Sequence, residues 1–513
     1  MSARALMLLG TASHVGKSIL TAALCRILAD DGYRVAPFKA QNMSLNSAAT
    51  PDGREIGRAQ ALQAEACRIA PRAEMNPILI KPSTGQSAQV VVMGRVWGQV
   101  SAADYHQRRV EELFPVVVDA YRALAAEHEV VLLEGAGSPA EINLKAHDIV
   151  NMRMAQAAGA ACLLIGDIDR GGVFASLLGT VELLEPAERA LIRGFLVNKF
   201  RGDLRLLEPG IAMMEERIAI PCAGVIPYLP ELLLDDEDSV SIEDRPIAWN
   251  AEPTAPSRKL RIAVVRFPYL SNFTDFDPLA AEPSISLAFV DSPAMLPEAD
   301  LVILPGSKQT LGDLAWLRRR ALEPAIRNFA GGAGVIGICG GMQMLGSAIE
   351  DPTGAESEGV PRSERGLDLL PIRTVLQTEK VTRTARGRVS GPAFGGALAA
   401  QPFHGYEIHL GDTVYAEGAQ PFAEIQRCGD PRPLLDGAVG TNAFGTYMHG
   451  LFRDDDFRHA FLAAARNACG LEPAHELAPF EAERERRLDR LAAHVRSSID
   501  MKLIYACLGV DPR

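Results

Sequence analysis

The chain has 513 residues, 48% of them hydrophobic and 23% charged, the balance of an ordinary soluble globular protein; at roughly 150 residues per domain it holds two to four domains. Lysine and arginine number 52 against 64 aspartates and glutamates, a net charge of −12, which argues against a general nucleic-acid binder because phosphate contacts need a basic face. Eight cysteines without a CxxC pair exclude a disulfide scaffold and the usual zinc motifs, and no run of about 18 uncharged apolar residues marks a membrane span.

The first apolar run, residues 5–9, leads into a glycine-bearing loop rather than a cleavage site, so a cytoplasmic enzyme with no membrane partner is expected. Further short apolar runs at 130–133, 161–165, 195–197 and 223–226 read as buried strands. Amphipathic stretches such as 107–127 lie between them, the pattern of a parallel α/β sheet. Residues 236–259 open acidic, carry Pro246, Pro253 and Pro256 and lack periodicity, so they read as a linker. The alternation restarts at 261–265, 301–304 and 335–339. A second α/β domain is expected over 260–465, and a charged helical tail over 466–513.

The loop Gly10-Thr11-Ala12-Ser13-His14-Val15-Gly16-Lys17-Ser18 follows a strand and precedes a helical pattern at 19–28. Small residues let backbone N–H groups reach phosphate oxygens, and a helix N-terminus adds its positive dipole end. Lys17 is placed for the β/γ-phosphates of ATP and Ser18 for Mg²⁺. The glycine-to-glycine gap is one longer than in G-x-x-x-x-G-K-[ST], so Thr11 stands where the first glycine usually is. This form resembles the dethiobiotin-synthetase-like branch of P-loop proteins, and the resemblance implies phosphorylation of a carboxylate or carbamate by ATP. The resemblance continues at Val130–Gly137. Glu134, at the end of the 130–133 strand, is the second Mg²⁺ ligand candidate, with Asp167 and Asp169 as weaker ones; all three sit at carboxyl strand ends, where open α/β sheets bind ligands. Asn198 and Lys199 either face the adenine of ATP or form a structural turn.

Val335-Ile336-Gly337-Ile338-Cys339-Gly340-Gly341 places a cysteine between a strand and a helical pattern. Flanking glycines permit a sharp turn that exposes the side chain. The turn aims the Gly340 N–H at a developing oxyanion, and a helix N-terminus favours a thiolate. Gly306, at the end of the 301–304 strand, offers a second oxyanion donor. His449, in Tyr447-Met448-His449-Gly450, is the candidate base. Cys25, Cys67, Cys162 and Cys222 read as buried structural residues.

Cys339 and His449 resemble the catalytic pair of class I glutamine amidotransferases, which implies a thioester from glutamine and released ammonia. That family has an acid two residues after the histidine; here Leu451 stands there. Glu407 is the substitute considered, and the missing acid is shared with the cobyrinate amidases. The two sites imply one logic. ATP converts a carboxylate to an acyl phosphate, and shielded ammonia from glutamine displaces the phosphate.

The phosphate loop, Lys39-Ala40-Gln41-Asn42-Met43-Ser44-Leu45-Asn46, Asp169-Arg170-Gly171-Gly172, the acidic linker and the cysteine and histidine segments together resemble the cobyric acid synthase family over roughly residues 5–510. The resemblance implies two α/β domains with mainly parallel sheets: a P-loop NTPase-like amide-synthase domain over 1–235 and a glutamine amidotransferase-like domain over 260–465. It implies amidation of the b, d, e and g carboxylates of adenosylcobyrinic acid a,c-diamide in cobalamin biosynthesis. Gln41, Asn42, Asn46 and Arg170 are polar groups suited to that corrin polycarboxylate, and equally suited to plain loop hydrogen bonds. The rivals are a ligase of the same plan acting on another acid, and a P-loop regulatory ATPase.

Overall fold

Strands that are apolar on both faces need cover on both faces. A computed structural model shows how the chain provides it; it describes residues 3–83, 87–101, 105, 109–230, 232, 234, 258–357, 359–474 and 476–513. Of the linker expected at 236–259, only Arg258 and Lys259 are among the described residues, and the rest of that stretch lies outside them.

The front half is built on a six-stranded parallel sheet. Its order is Cys222–Pro227, Ile192–Phe200, Ala161–Asp167, Arg4–Gly10, Val130–Glu134 and Val35–Phe38. Alternate side chains feed two cores. Met7, Leu9, Leu133 and Leu164 point to one face, and Leu6, Leu8, Leu132 and Leu163 to the other. The second face is covered by helix Lys17–Asp30 and by the C-terminal helices Phe480–Ser498 and Met501–Leu508. The tail thus packs on the front half, although it follows the back half in sequence. Buried Arg26 binds Glu485 at 2.8 Å, and Arg484 binds Glu65 at 2.6 Å.

Of the expected helix at 107–127, Phe114–Glu127 is a regular α-helix, preceded by a wider turn at Arg109–Leu113, and residues 107–108 lie outside the described residues. Pro115 explains the start: proline suits the first turn of a helix, where its missing N–H leaves no bond unmade.

The back half has a second six-stranded sheet, ordered Ile285–Val290, Leu260–Val265, Leu301–Leu304, Val335–Ile338, Ala443–Thr446 and Ala438–Val439. All pairs are parallel except the last. Beside it stands a seven-stranded, largely antiparallel sheet around the long pair Ile372–Val389 and Pro402–Tyr415. The front half adds a four-stranded sheet through Gln41–Met43 and a hairpin, Ser47–Ala49 with Glu55–Gly57. The hairpin closes through Pro51-Asp52-Gly53, residues that favour tight turns. It brings Ala49 onto Tyr406 and Ile408 of the antiparallel sheet, so the two halves meet there. No helix among the described residues is long and apolar enough to cross a membrane.

Candidate active site

The strand register sets the first site. Leu8 pairs with Glu134 and Gly10 with Ile165, so the loop after Gly10 leaves the sheet beside both strand ends. The chain turns at Gly16, φ 102°, into helix Lys17–Asp30. Among the described residues, the N–H groups of Ala12, Val15 and Gly16 have no backbone acceptor, as an anion cradle requires. Lys17 Nζ donates to the carbonyls of Ala12 at 2.9 Å and Gly137 at 3.1 Å, arching over the loop. Ser18 Oγ donates to Glu134 Oε1 at 2.8 Å. Glu134 is buried and also takes Lys39 Nζ at 2.8 Å and Gln63 Nε2 at 2.6 Å. Ser18 and Glu134 offer oxygens only, the donor set that Mg²⁺ prefers.

Two residues expected to meet ATP do other work. The Thr11 N–H is taken by the Ile165 carbonyl at 2.9 Å, so it closes the strand end and is not offered to a phosphate. Asn198 Nδ2 donates to the Val15 carbonyl at 2.8 Å and braces the loop from beneath; of the two readings open for it, the structural one describes this contact. Asp167 is held by Lys199 at 2.8 Å and Asp169 by Arg201 at 3.0 Å.

The corrin candidates divide by strand alternation. Gln41 and Met43 share one side of strand Gln41–Met43 and line a cavity of about 260 Å³ with Gly137, Ser138 and Lys145. Asn42, one residue out of phase, is buried and donates to Gln60 Oε1 at 3.0 Å. Asn46 is buried too, with Oδ1 accepting from Thr274 Oγ1 at 3.3 Å across the contact between the halves. Both are internal network residues rather than cavity lining. Arg170 is exposed in the loop after Ala161–Asp167.

The second site forms where strand Val335–Ile338 turns into helix Gly340–Leu345. Cys339 is the turning residue, at φ 52°, ψ −112°. A side chain rarely adopts this conformation, and it costs on the order of 1–3 kcal/mol. The Cys339 N–H donates to Thr446 at 2.8 Å and fixes the turn to the neighbouring strand. Gly340 N–H opens the helix, one of the groups a helix leaves without an internal acceptor. Gly306 lies against the imidazole: a Cβ added there would stand 2.9 Å from His449 Cε1. Cys339 and His449 line one pocket, and the thiol donates weakly to the Ile408 carbonyl at 3.5 Å.

The acid beside His449 is Asp275. Its Oδ2 lies 2.6 Å from His449 Nδ1, and its Oδ1 accepts the Gly450 N–H at 2.9 Å. Burial opposes charge on the imidazole, but Asp275 and Cys339 outweigh it and raise the His449 pKa to about 10. Glu407 is not the third member. It is engaged by Arg427 at 2.6 Å and His409 at 3.2 Å, which hold it below the usual carboxylate range against the effect of burial. Asp275 is 174 residues from His449 in sequence. The one signal for it was its place soon after the first strand of the second sheet, where a loop at a carboxyl strand end carries ligands.

Residues 6–241 match the family model described as the CobQ/CobB/MinD/ParA nucleotide binding domain, and residues 261–457 that of the CobB/CobQ-like glutamine amidotransferase domain. The chain is 49% identical to a cobyric acid synthase of Moorella thermoacetica, over 99% of this chain and 98% of that protein. It is 48% identical to one of Sorangium cellulosum over the whole of both, and 46% identical to one of Clostridium acetobutylicum over 99% of each. The chain belongs to the cobyric acid synthase family. As a member it is a glutamine-hydrolysing amide ligase, with the nucleotide site in its front half and the glutamine site in its back half.

The two halves share buried charge. Glu55, from the front hairpin, binds Lys81 of its own half and Lys380 of the other, each at 2.6 Å. Burial alone would raise the Glu55 pKa, yet the two ammonium groups hold it far below the ordinary carboxylate range. The same segment runs on into helix Arg58–Ala66, whose Gln63 reaches Glu134. Gln63 and Glu55 carry no motif of their own, and only the fold brings them to the two sites.

Proposed function

We propose that the chain uses ATP and glutamine to convert the b, d, e and g carboxylates of adenosylcobyrinic acid a,c-diamide to carboxamides, giving adenosylcobyric acid. The observation that carries this reading is the buried Asp275–His449 contact of 2.6 Å in the pocket of Cys339, on a chain whose other half ends a phosphate loop at Ser18–Glu134. An imidazole raised to about 10 takes the thiol proton of Cys339 and holds it. The thiolate attacks the amide carbon of glutamine, and the N–H groups of Gly340 and Gly306 receive the oxyanion. His449 gives its proton to the leaving nitrogen, ammonia departs, and water hydrolyses the thioester to glutamate. Asp275 keeps the imidazole oriented with Nδ1 protonated.

In the front half, the loop N–H groups and Lys17 hold the phosphates while the substrate carboxylate attacks the γ-phosphorus, the bond from that phosphorus to the bridging oxygen breaks, and ADP leaves as the acyl phosphate forms. Ser18 and Glu134 are the residues that would hold Mg²⁺, which neutralises charge across the β- and γ-phosphates. The cavity of Gln41 and Met43 opens beside Gly137, the carbonyl that Lys17 reaches, and is the proposed corrin side of the site. Ammonia attacks the acyl phosphate, the C–O bond to phosphate breaks, and a carboxamide and inorganic phosphate result.

The test is product mass and phosphate release with the corrin diamide, ATP, Mg²⁺ and glutamine. The expected result is four mass steps of amidation with one phosphate per amide. Amidation of a different acid, with none of the corrin diamide, sinks the substrate assignment.

A further inference from the structure

The Cys339 pocket contains more charge than hydrolysis of an amide needs. Three buried lysines line it, Lys81, Lys308 and Lys380. Two of them are spent on Glu55, at 2.6 Å each. Lys308 differs. It is 8% exposed, and its backbone N–H is fixed to the Tyr269 carbonyl at 2.9 Å. Its ammonium has no hydrogen bond or ion pair among the described residues.

Glu356 lines the same pocket. One of its oxygens accepts from Thr310 Oγ1 at 3.1 Å and the other from the Leu311 N–H at 3.1 Å, both in the first turn of helix Thr310–Arg319. The Thr310 N–H also bonds this carboxylate, and a carboxylate with about four acceptor positions still has room for a further donor. No ion pair closes between Lys308 and Glu356, so they are not a structural salt bridge. Each charge is undercompensated: burial pushes the Lys308 pKa down and the Glu356 pKa up, and each is only partly relieved by the other. A buried ammonium without a partner is expensive, and a site of this kind is complete when the ligand brings the missing charges.

We propose that Lys308 and Glu356 form the amino-acid subsite of the Cys339 pocket, with Lys308 binding the α-carboxylate and Glu356 the α-ammonium of free glutamine. The inference rests on glutamine being the nitrogen donor. It adds that the donor is read as a zwitterion, so amides lacking either charge are poor substrates. An unpaired buried charge left behind by the wrong ligand is what makes such a site selective.

The test uses the full chain with ATP, Mg²⁺ and the corrin diamide, and follows loss of the γ-amide. Glutamine is compared with glutamine α-amide, which lacks the carboxylate charge, and with glutaramate, which lacks the ammonium. In the unaltered chain kcat/KM for glutamine exceeds that for each analogue by at least ~10-fold, the scale of one charge-assisted hydrogen bond. Lys308→Met collapses the preference over glutamine α-amide and leaves the preference over glutaramate. Glu356→Gln does the reverse, and Lys308→Arg retains both. Equal turnover of all three amides by the unaltered chain overturns the proposal without any variant. So does a Lys308→Met chain that loses rate on all three amides in the same proportion. If the unaltered chain hydrolyses no glutamine while making amide from ammonium salts, the donor assignment itself has failed, a result distinct from lost selectivity.

Discussion

At Gly16 the chain turns from strand to helix through φ 102°, a conformation glycine takes freely; at Cys339 it makes the corresponding turn through φ 52°, ψ −112° with a side chain attached. Both turns sit at the carboxyl end of a central parallel strand, and both open a helix. Under the proposed function, the difference follows from what each must present. A phosphate is bound by N–H groups, so the side chain at the turn is dispensable and glycine relieves the backbone. A nucleophile has to be the side chain at the tip, so strain stays at Cys339 and glycine moves to its neighbours. Gly341 is one of them: a Cβ there would run into the Leu304 carbonyl. On the proposed function, the relaxed turn binds and the strained one reacts.

The strongest way to break this comparison is to remove the reacting group. Cys339→Ala is expected to lower glutamine-driven amidation by ~10⁶-fold, the scale seen when a covalent nucleophile is lost. Amidation from ammonium salts continues, because the phosphate loop is untouched. Loss of both reactions alike, in a chain that still binds ATP, contradicts the division of labour between the turns.

Asp275→Asn is expected to cost up to ~10⁴-fold in glutamine-driven kcat, since an amide does not hold the imidazole in the productive tautomer. The variant also reports on pH. The folded His449 pKa, about 10, lies above its usual 6.5. The stability this adds is full below pH 6.5 and is lost as pH rises through about 10. In Asp275→Asn that decline should flatten. A decline of unchanged size in urea titrations at pH 7 and pH 10 assigns it to another group.

Lys17→Ala acts on the relaxed turn. It is expected to reduce amidation from both nitrogen sources by about 10²- to 10³-fold, the range for one electrostatic donor at a transition state. Persistence of the ammonia-driven reaction at the unaltered rate removes Lys17 from phosphoryl transfer.

Much of each turn was legible because its chemistry is local. Strand, glycine-bearing loop and helix follow one another within about fifteen residues, and apolar runs announce the buried strands. The partners were not legible for the opposite reason. Asp275 reaches His449 from 174 residues earlier in the chain, and Lys308 acquires meaning only when the first turn of helix Thr310–Arg319 anchors Glu356 in the same pocket. Strand Val35–Phe38 was hidden by Pro37, which speaks against a central strand; it occupies the sheet edge, where proline is tolerated. Strand Ile372–Val389 was hidden by its arginines and threonines. It alternates buried and exposed residues instead of forming an apolar run, as a one-sided antiparallel sheet allows. The polarity of Asn42 and Asn46 left corrin contact and loop hydrogen bonds equally open; strand alternation turns Asn42 inward, and the contact with Thr274 in the other half takes up Asn46.

The smallest effect is the sharpest test of the strain itself. Cys339→Gly and Cys339→Ala both lack the thiol, so they differ only in backbone preference and one methyl group. Alanine inherits the conformation at φ 52°, ψ −112°, whereas glycine adopts it without a Cβ penalty. Relief of about 1–3 kcal/mol is offset by about 0.5–1 kcal/mol of extra unfolded-state entropy for glycine. The glycine chain should therefore be the more stable of the two by about 0.5–2 kcal/mol, read as a higher midpoint of urea unfolding. At Gly16 the order reverses. Gly16→Ala forces a Cβ into φ 102° and against Asn198 Nδ2, and should destabilise by more than about 1 kcal/mol. An alanine at residue 339 that matches or exceeds glycine would mean that the nucleophile turn is not strained, and the contrast between the two turns would fall.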